Sequence, residues 1–468
     1  MYKTKEDTTM RVYLSFLVVI MFLSLSYPAE CEDWQVIWGD LHAHSSLSDG
    51  CKDKSPEDAY EYASGKCNFL ALTEHNHQID DDEMIRLVNA SNSKQFPGFV
   101  SIFGQEFSTI TQGKSGNHLN VFNITECIPG AMNNNYKKLY SEWLPDYQAR
   151  HQNEIILCQF NHPKNKYKDY GIAEVINIRN YANDWDAFVE DSNRWVRLIA
   201  IVNGPGTDTP GQHNRHADIK DSSTGEVKTW FFYLDKGMRL SPTCNQDTHV
   251  DSWGDLTTAR TGVWIKGGIN RNNLLSALKD GRCFATEDKD LSVWFVVNNH
   301  PMGSQLADMG TAALNIKVAI DDKDEPDSTY KVEIYRDVVH DDELAQKVSE
   351  GDATCSKSFT TTVQHENGQH ELYLVHVIQK DESDDIDDAW TAPIYIGPGS
   401  TETDEVIPEE SGQSTSEAQA DYRFVGSRKS SKYHYPSCKS VNLIKPENLV
   451  KYSEAPIDKT LHAGCPVE

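Results

Sequence analysis

From Val36 to about Ile265 short apolar runs alternate with longer, more polar stretches. The runs are Val36 to Leu41, Phe69 to Thr73, Phe99 to Phe103, Leu119 to Ile124, Ile155 to Phe160, Arg197 to Val202 and Leu240 to Cys244. Runs of this length predict buried parallel strands. The polar stretches between them predict helices. The clearest opens at Ser55, a cap followed by Pro56 and by Glu57 and Asp58 in the first turn. Others are expected over Asp80 to Ala90, Tyr136 to Gln148 and Arg271 to Asp280, the last closed by Gly281. Strand and helix alternating at this spacing imply an α/β barrel or an open sheet.

After about Thr286 the period changes to two. Leu291 to Val297, Ala313 to Ile320, Tyr330 to Tyr335 and Glu371 to Val377 are separated by acidic, turn-rich connectors, which reads as a small β-sandwich over 288–397. Residues 398–420 are mainly Gly, Ser, Thr and Glu and predict a flexible linker. A short module over 421–468 follows.

Charge and the amino terminus narrow the setting. Lys and Arg total 44 against 71 Asp and Glu in 468 residues, a formal charge of -27. That balance disfavours non-specific contact with nucleic acid or anionic lipid. Lys3, Lys5 and Arg11 precede an apolar run from Val12 to Leu25, then Ser26, Tyr27, Pro28 and Ala29. This order predicts a cleaved secretory signal over 1–29, a secreted or periplasmic protein, and no membrane span in the mature chain. Glu30 before Cys31 does not suit lipoprotein processing. Among the ten cysteines, Cys51 and Cys67 bracket a predicted helix and are the first disulfide pair to test.

The chemistry concentrates at run ends. In Asp40-Leu41-His42-Ala43-His44, the two imidazoles fall on one side of a strand and can reach one metal ion, with Asp49 returning on the next loop. The second run ends in Thr73-Glu74-His75, the third in Gln105-Glu106, and the fourth opens at His118. The fifth ends in Asn161-His162-Pro163 and the seventh in Asp247-Thr248-His249. Each residue alone has an ordinary structural reading, but in an α/β barrel these ends would converge on one face. The expected ligands are therefore His42, His44, Asp49, His75, Glu106, His118, His162, Asp247 and His249.

These motifs resemble those of the polymerase-and-histidinol-phosphatase (PHP) superfamily, over roughly Trp38 to Val297. Asp40-Leu41-His42-Ala43-His44, Ser48-Asp49-Gly50, Thr73-Glu74-His75, Glu106, His162-Pro163 and Asp247-Thr248-His249 carry the likeness. His118-Leu119-Asn120, Arg260-Thr261-Gly262-Val263-Trp264 and Gly281-Arg282-Cys283-Phe284-Ala285-Thr286 point to its CehA/McbA-like exported metallohydrolase branch. Glu74 stands where the family commonly has Asp. The resemblance implies a distorted (β/α)7 barrel over 32–287 with two or three divalent ions, zinc, manganese or iron. It places His42, His44, Glu106 and Asp247 about one ion, Asp49, His75 and His249 about a second, and Glu106, His118 and His162 about a third. Glu106, Asp247 and His249 are the residues expected to bear most directly on catalysis, and Arg260 is expected to hold an anionic group of the substrate.

The reaction so implied is hydrolysis of a small phosphomono- or diester by metal-activated water. A carboxylic ester, amide or carbamate is the alternative on the same centre, and a binding protein without catalysis is the alternative from another class. The terminal module, with Phe424-Val425-Gly426, His434, Cys438 and Cys465, resembles the metal-binding fold of Ada-type DNA-repair proteins. That likeness implies a separate zinc, with His462 standing in for a missing cysteine. A Cys438–Cys465 disulfide is its rival.

Overall fold

The computed structural model describes residues 34–398 except 95, 112–113, 133–134, 164–177, 205, 207–224, 326, 354–356 and 381–385. Beyond them it describes 424–427, 432–434, 449–452 and 460–461. The leader at 1–29, residues 399–420, Cys438, His462 and Cys465 lie outside the described residues, as does the side chain of His434.

β1 (Trp34–Ala43), β2 (Phe69–His75) and β3 (Val100–Thr111) pair in parallel, linked by helices α1 (Pro56–Ala63) and α2 (Asp81–Ser93). Both helices start where side chains can satisfy their free N–H groups. Ser55 with Asp58, and Asp80 with Glu83, close reciprocal capping boxes. Their apolar stripes, Ala59, Tyr60 and Ala63 on α1 and Met84, Leu87 and Ala90 on α2, are buried.

The parallel order then breaks. Only residues 112–113 separate β3 from β4 (Lys114–Phe122), too few for a crossover, so the two form an antiparallel hairpin. The next connection holds α3 (Tyr136–Lys138), a π turn over Leu139–Trp143, and α4 (Leu144–Arg150). β5 (Leu157–Phe160) is antiparallel to β4. After α5 (Trp185–Ser192) and α6 (Gly225–Asp235), β6 (Val196–Asn203) and β7 (Ser241–Asn245) resume the parallel order. On the other flank of β1, β8 (Arg260–Lys266) and β9 (Cys283–Thr286) are both antiparallel to their neighbours, with α7 (Arg271–Lys279) between them.

The expected (β/α)7 barrel, a TIM-like barrel of parallel units, is therefore corrected to a curled mixed sheet rich in strands. The curl brings the end of β7 to the end of β1, where Ala43 bridges Thr248. The His44 N–H donates to the Thr248 carbonyl at 3.0 Å and the Asp247 N–H to the His42 carbonyl at 2.9 Å.

Residues after Asp290 add β10 (Ser292–Val297), β11 (His300–Pro301), β12 (Gln305–Leu306), β13 (Ala312–Asp321) and β14 (Thr329–Val338). They continue with β15 (Gln346–Asp352), β16 (Ser358–His365), β17 (Glu371–Lys380), β18 (Ile386–Thr391) and β19 (Ile394–Ile396). β11, β10, β13 and β16 make a separate sheet, whereas β18 pairs with β9 and so carries the long sheet on into β17, β14 and β15. Period two is expressed directly. Leu314, Ile316, Val318 and Ile320 of β13 are buried with Val293 and Phe295 of β10, facing Val332 and Ile334 of β14 and Tyr373, Val375 and Val377 of β17.

Residues 410–468 form a second compact unit. Within it β20 (Phe424–Ser427) pairs antiparallel with β21 (Lys432–His434) and β22 (Leu449–Tyr452), and β23 (Thr460–Leu461) lies parallel to β21. Among the described residues no helix is long and apolar enough to cross a membrane. The thiols of Cys51 and Cys67, the first pair to test, are both free.

Candidate metal centre

The curl brings all nine expected ligands into one connected group. His42 and His44 stand one residue apart at the end of β1 and turn their Nε2 atoms to within 3.2 Å of each other. Asp247, just past β7, places Oδ1 3.4 Å from His42 Nε2 and 3.3 Å from His44 Nε2. Glu106 on β3 is fully buried in the middle. Its Oε1 lies 2.7 Å from His118 Nδ1, 3.2 Å from His42 Nε2 and 3.4 Å from His162 Nε2, and its Oε2 lies 2.9 Å from His75 Nδ1. Asp49 closes the outer side, 3.3 Å from both His75 Nε2 and His249 Nε2.

Three overlapping groups of these side chains are close enough to hold a metal ion: His44 with Asp49, His75 and His249; His42 with His44 and Glu106; and His75 with Glu106 and His118. The expected partition is shifted in three respects: Asp247 does not fall in the group of His42, His44 and Glu106, His75 rather than His162 completes the group of Glu106 and His118, and His44 joins the group of Asp49, His75 and His249. His44 stands with Asp49, His75 and His249 as well as with His42, because its Nδ1 faces Asp49 at 4.0 Å while its Nε2 faces Glu106 and Asp247.

Local structure sets these positions. The turn after His44 folds back on itself, with the Gly50 N–H donating to the Ser45 carbonyl at 3.0 Å. A Cβ at Gly50 would sit 2.6 Å from the His44 carbonyl carbon, so only glycine lets Asp49 return to the site. Glu74 anchors the same turn, accepting from the Ser45 N–H at 2.9 Å, the Ser45 hydroxyl at 2.6 Å and the Ser48 hydroxyl. It therefore orients Asp49 without joining the ligands. His162 and Asp247 have φ of 29° and 53°, conformations that non-glycine residues adopt at a cost and that cluster at functional sites.

Several supporting residues were not singled out from the sequence. Asn203, at the end of β6, donates its Nδ2 to Asp247 Oδ2 at 2.9 Å, which leaves its Oδ1 to face His42 Nδ1 at 3.0 Å. His42 must then carry its proton on Nδ1, leaving the Nε2 lone pair turned into the site. Asn161 donates to Glu106 Oε1 at 2.9 Å and to Asn120 Oδ1 at 2.7 Å. Buried Asp40 accepts from the His42 and Gln246 N–H groups. His77 lies exposed at the rim, its ring 5.3 Å from that of His75; the repeated His-x-His pattern at 75–77 was its signal.

Arg260 is not in this group. Its buried guanidinium donates to the carbonyls of Gly254, Thr257 and Ala259, which ties down the loop before β8. In this arrangement its donors are directed at the backbone.

Burial works against charge throughout the centre, yet the partners decide the outcome. Burial raises the Glu106, Asp247 and Asp49 carboxyls, but His118 and His42 hold Glu106, His42 and His44 hold Asp247, and His249 and His75 hold Asp49 well below the usual range. Neighbouring imidazoles split. Burial lowers His42, but Asp247 and Glu106 lift it to about 9; burial pushes His44 down to about 4 against the same two acids. Burial likewise opposes protonation of His75, which Asp49 and Glu106 raise to about 10. Without metal, protonated His42 and His75 balance three ionised carboxylates; divalent ions would take over that charge by displacing the protons on the inward-facing imidazole nitrogens.

The spacing suits such ions. Ligands about 2.1 Å from a tetrahedral centre are roughly 3.4 Å apart, and the His42 and His44 Nε2 atoms lie 3.2 to 3.7 Å from each other and from the nearest oxygens of Glu106 and of Asp247. His75 Nδ1 and Glu106 Oε2 are both buried and 2.9 Å apart without the alignment of a hydrogen bond. With His118 the two residues form one of the groups close enough to hold a metal ion.

Asn203→Ala is expected to weaken metal binding by about 10- to 100-fold without displacing a ligand, because His42 loses its fixed tautomer and Asp247 its brace. Metal titration against a chromophoric chelator reads this directly, and parent affinity in the variant would refute it.

No family model and no curated protein matches the chain. Among solved structures the chain is similar to the PmoD soluble domain from Methylocystis sp. ATCC 49242, at 17% identity over 23% of this chain and 90% of that one, with a TM-score of 0.16. A likeness of that size carries no argument about fold or activity.

Proposed function

We propose that the chain is an exported metal-dependent hydrolase of the PHP type, with two or three divalent ions acting on small phosphomono- or diesters. The observation that carries this reading is one shared carboxylate. Glu106 lies within 2.7 to 3.7 Å of His42, His44, His75, His118 and His162, so adjacent ions would hold a ligand in common. Bound zinc, manganese or iron would lower the pKa of water and offset charge developing on the substrate.

The protein's own part is positional. Asn203, Asn161 and Glu74 fix the imidazoles, the shared carboxylate and the Asp49 turn. With the Arg260 donors directed at backbone carbonyls, compensation of an anionic phosphoryl group falls to the metal centre, which favours phosphate esters as substrates. The ester is proposed to enter past Asp49 and His77, the exposed members of the site.

The test is the metal-loaded full-length chain, reconstituted separately with manganese, zinc and iron(II), against p-nitrophenyl phosphate, bis-p-nitrophenyl phosphate and a carbamate ester. Metal-dependent turnover of a phosphate ester is the expected result. Turnover of the carbamate alone would move the reaction to carboxyl chemistry, and silence on all three with every metal would leave a binding protein.

A further inference from the structure

A second group of acids lies far along the chain from the imidazole centre. Asp288 and Asp290 follow β9, and Asp322, Asp324 and Glu325 follow β13. Oxygens of Asp288, Asp322 and Glu325 lie within 4.8 Å of one another, as do those of Asp290, Asp322 and Asp324, so Asp322 belongs to both sets. Two of the five are buried, Asp288 at 4% and Asp322 at 1% exposed, while Asp290 and Glu325 are half-buried and Asp324 is exposed. Counter-charge is partial. Lys289 pairs with Asp324 and stands 4.0 Å from Asp290, while Lys357 reaches the Asp322 carbonyl and, at 3.9 Å, Asp321.

Crowded acids alone do not make a site, but a separate feature beneath them points to a ligand. Gln379 on β17, 1% exposed, donates Nε2 to Asp322 Oδ2 at 2.6 Å and to Glu325 Oε2 at 3.0 Å. Its Oε1 is buried and has no hydrogen-bond partner. Tyr330 stands directly across from Gln379 in the β14–β17 register, and its buried hydroxyl also has no partner. Burial pushes that hydroxyl's pKa up, and the charges of Asp322, Asp288 and Glu325 push it further. Two unsatisfied oxygens beside a carboxylate cluster are costly to bury. Turning the Gln379 amide over would put Oε1 against two carboxylates, which is favourable only with a cation between them.

We propose that the segments 288–290 and 322–325, with Gln379 beneath them, bind one hard divalent cation of the Ca²⁺ class at this end of the sandwich. All the donors are oxygens, with no imidazole or thiolate, which separates this site in metal preference from the one around Glu106. The carboxylates outnumber the one or two that Mg²⁺ ordinarily takes and suit the six to eight oxygens of Ca²⁺. A cation here would tie the β9–β10 connection, which leaves the sheet that carries the imidazole cluster, to the β13–β14 connection of the sandwich.

The test is calorimetric titration of the full-length chain with CaCl2 after passage over a chelating resin. One saturable site with a dissociation constant at or below roughly 1 mM is expected, and it should persist in Glu106→Gln. Asp322→Asn and Asp290→Asn should each weaken it by at least about tenfold; Asp290, on the partly exposed side, decides the matter if the buried Asp322 variant does not fold. Absence of saturable binding, unchanged affinity in the aspartate variants, or loss of binding in Glu106→Gln would each overturn the proposal.

Discussion

Glu106→Ala is expected to strip most of the bound metal and to lower kcat/KM on a phosphodiester by on the order of 10³-fold or more. The size of the effect follows from position. Within 3.7 Å, Asp49 meets two imidazoles and Asp247 three, but the buried Glu106 meets five. Without it the imidazoles face one another with little negative charge among them, and His118 and His162 lose the acid they share. Elemental analysis alongside steady-state kinetics checks both halves, with circular dichroism as the control for folding. A folded variant with the parent's metal content and rate would remove the shared-ligand reading.

The second large effect is on stability. Trp390→Ala is expected to cost about 3 to 5 kcal/mol. Trp390 on β18 is fully buried, stacked on His376 with ring centroids 4.0 Å apart and planes 6° from parallel. Trp230 and Phe231 of α6 and Tyr335 of β14 surround it at 5.2 to 6.1 Å. β18 is the strand through which the sheet that carries the imidazole cluster joins β17. The cavity would therefore weaken both parts together, and urea unfolding should shift to lower denaturant as one transition. A loss under about 1 kcal/mol, or an early transition confined to the sandwich, would show that the ring cluster does not couple them.

Much of the centre was legible because its chemistry is written locally. His42 and His44 had to share a side if their run was a strand, and Asp247 with His249 repeated the theme at the seventh run. One clue to the true topology was also present. The acid and imidazoles came at the ends of the first, second, third, fifth and seventh runs, but His118 came at the start of the fourth. A ligand can lie at that end and still meet Glu106 if β4 runs against β3, as it does, with Glu106 opposite Asn120.

The supporting amides were harder to foresee. Asn203 is a polar residue at a strand end, a place where such residues are common, and its meaning comes from Asp247, 44 positions away. Arg260 was open to two readings. Its three carbonyl partners lie within six residues of it, yet their inward turn arises only once the loop before β8 is folded.

What the sequence by itself determined was which residues carry charge and lone pairs, where helices begin, and the period of each segment. These depend on neighbours a few positions apart and on side-chain chemistry alone. Tertiary structure decided strand direction, the continuation of one sheet through β9 into β18, and the meeting of β7 with β1. A run buried on both faces has the same apolar pattern whether its partner is parallel or antiparallel, and strand pairings such as that of Trp34 with Lys266 join residues whose separation leaves no local trace.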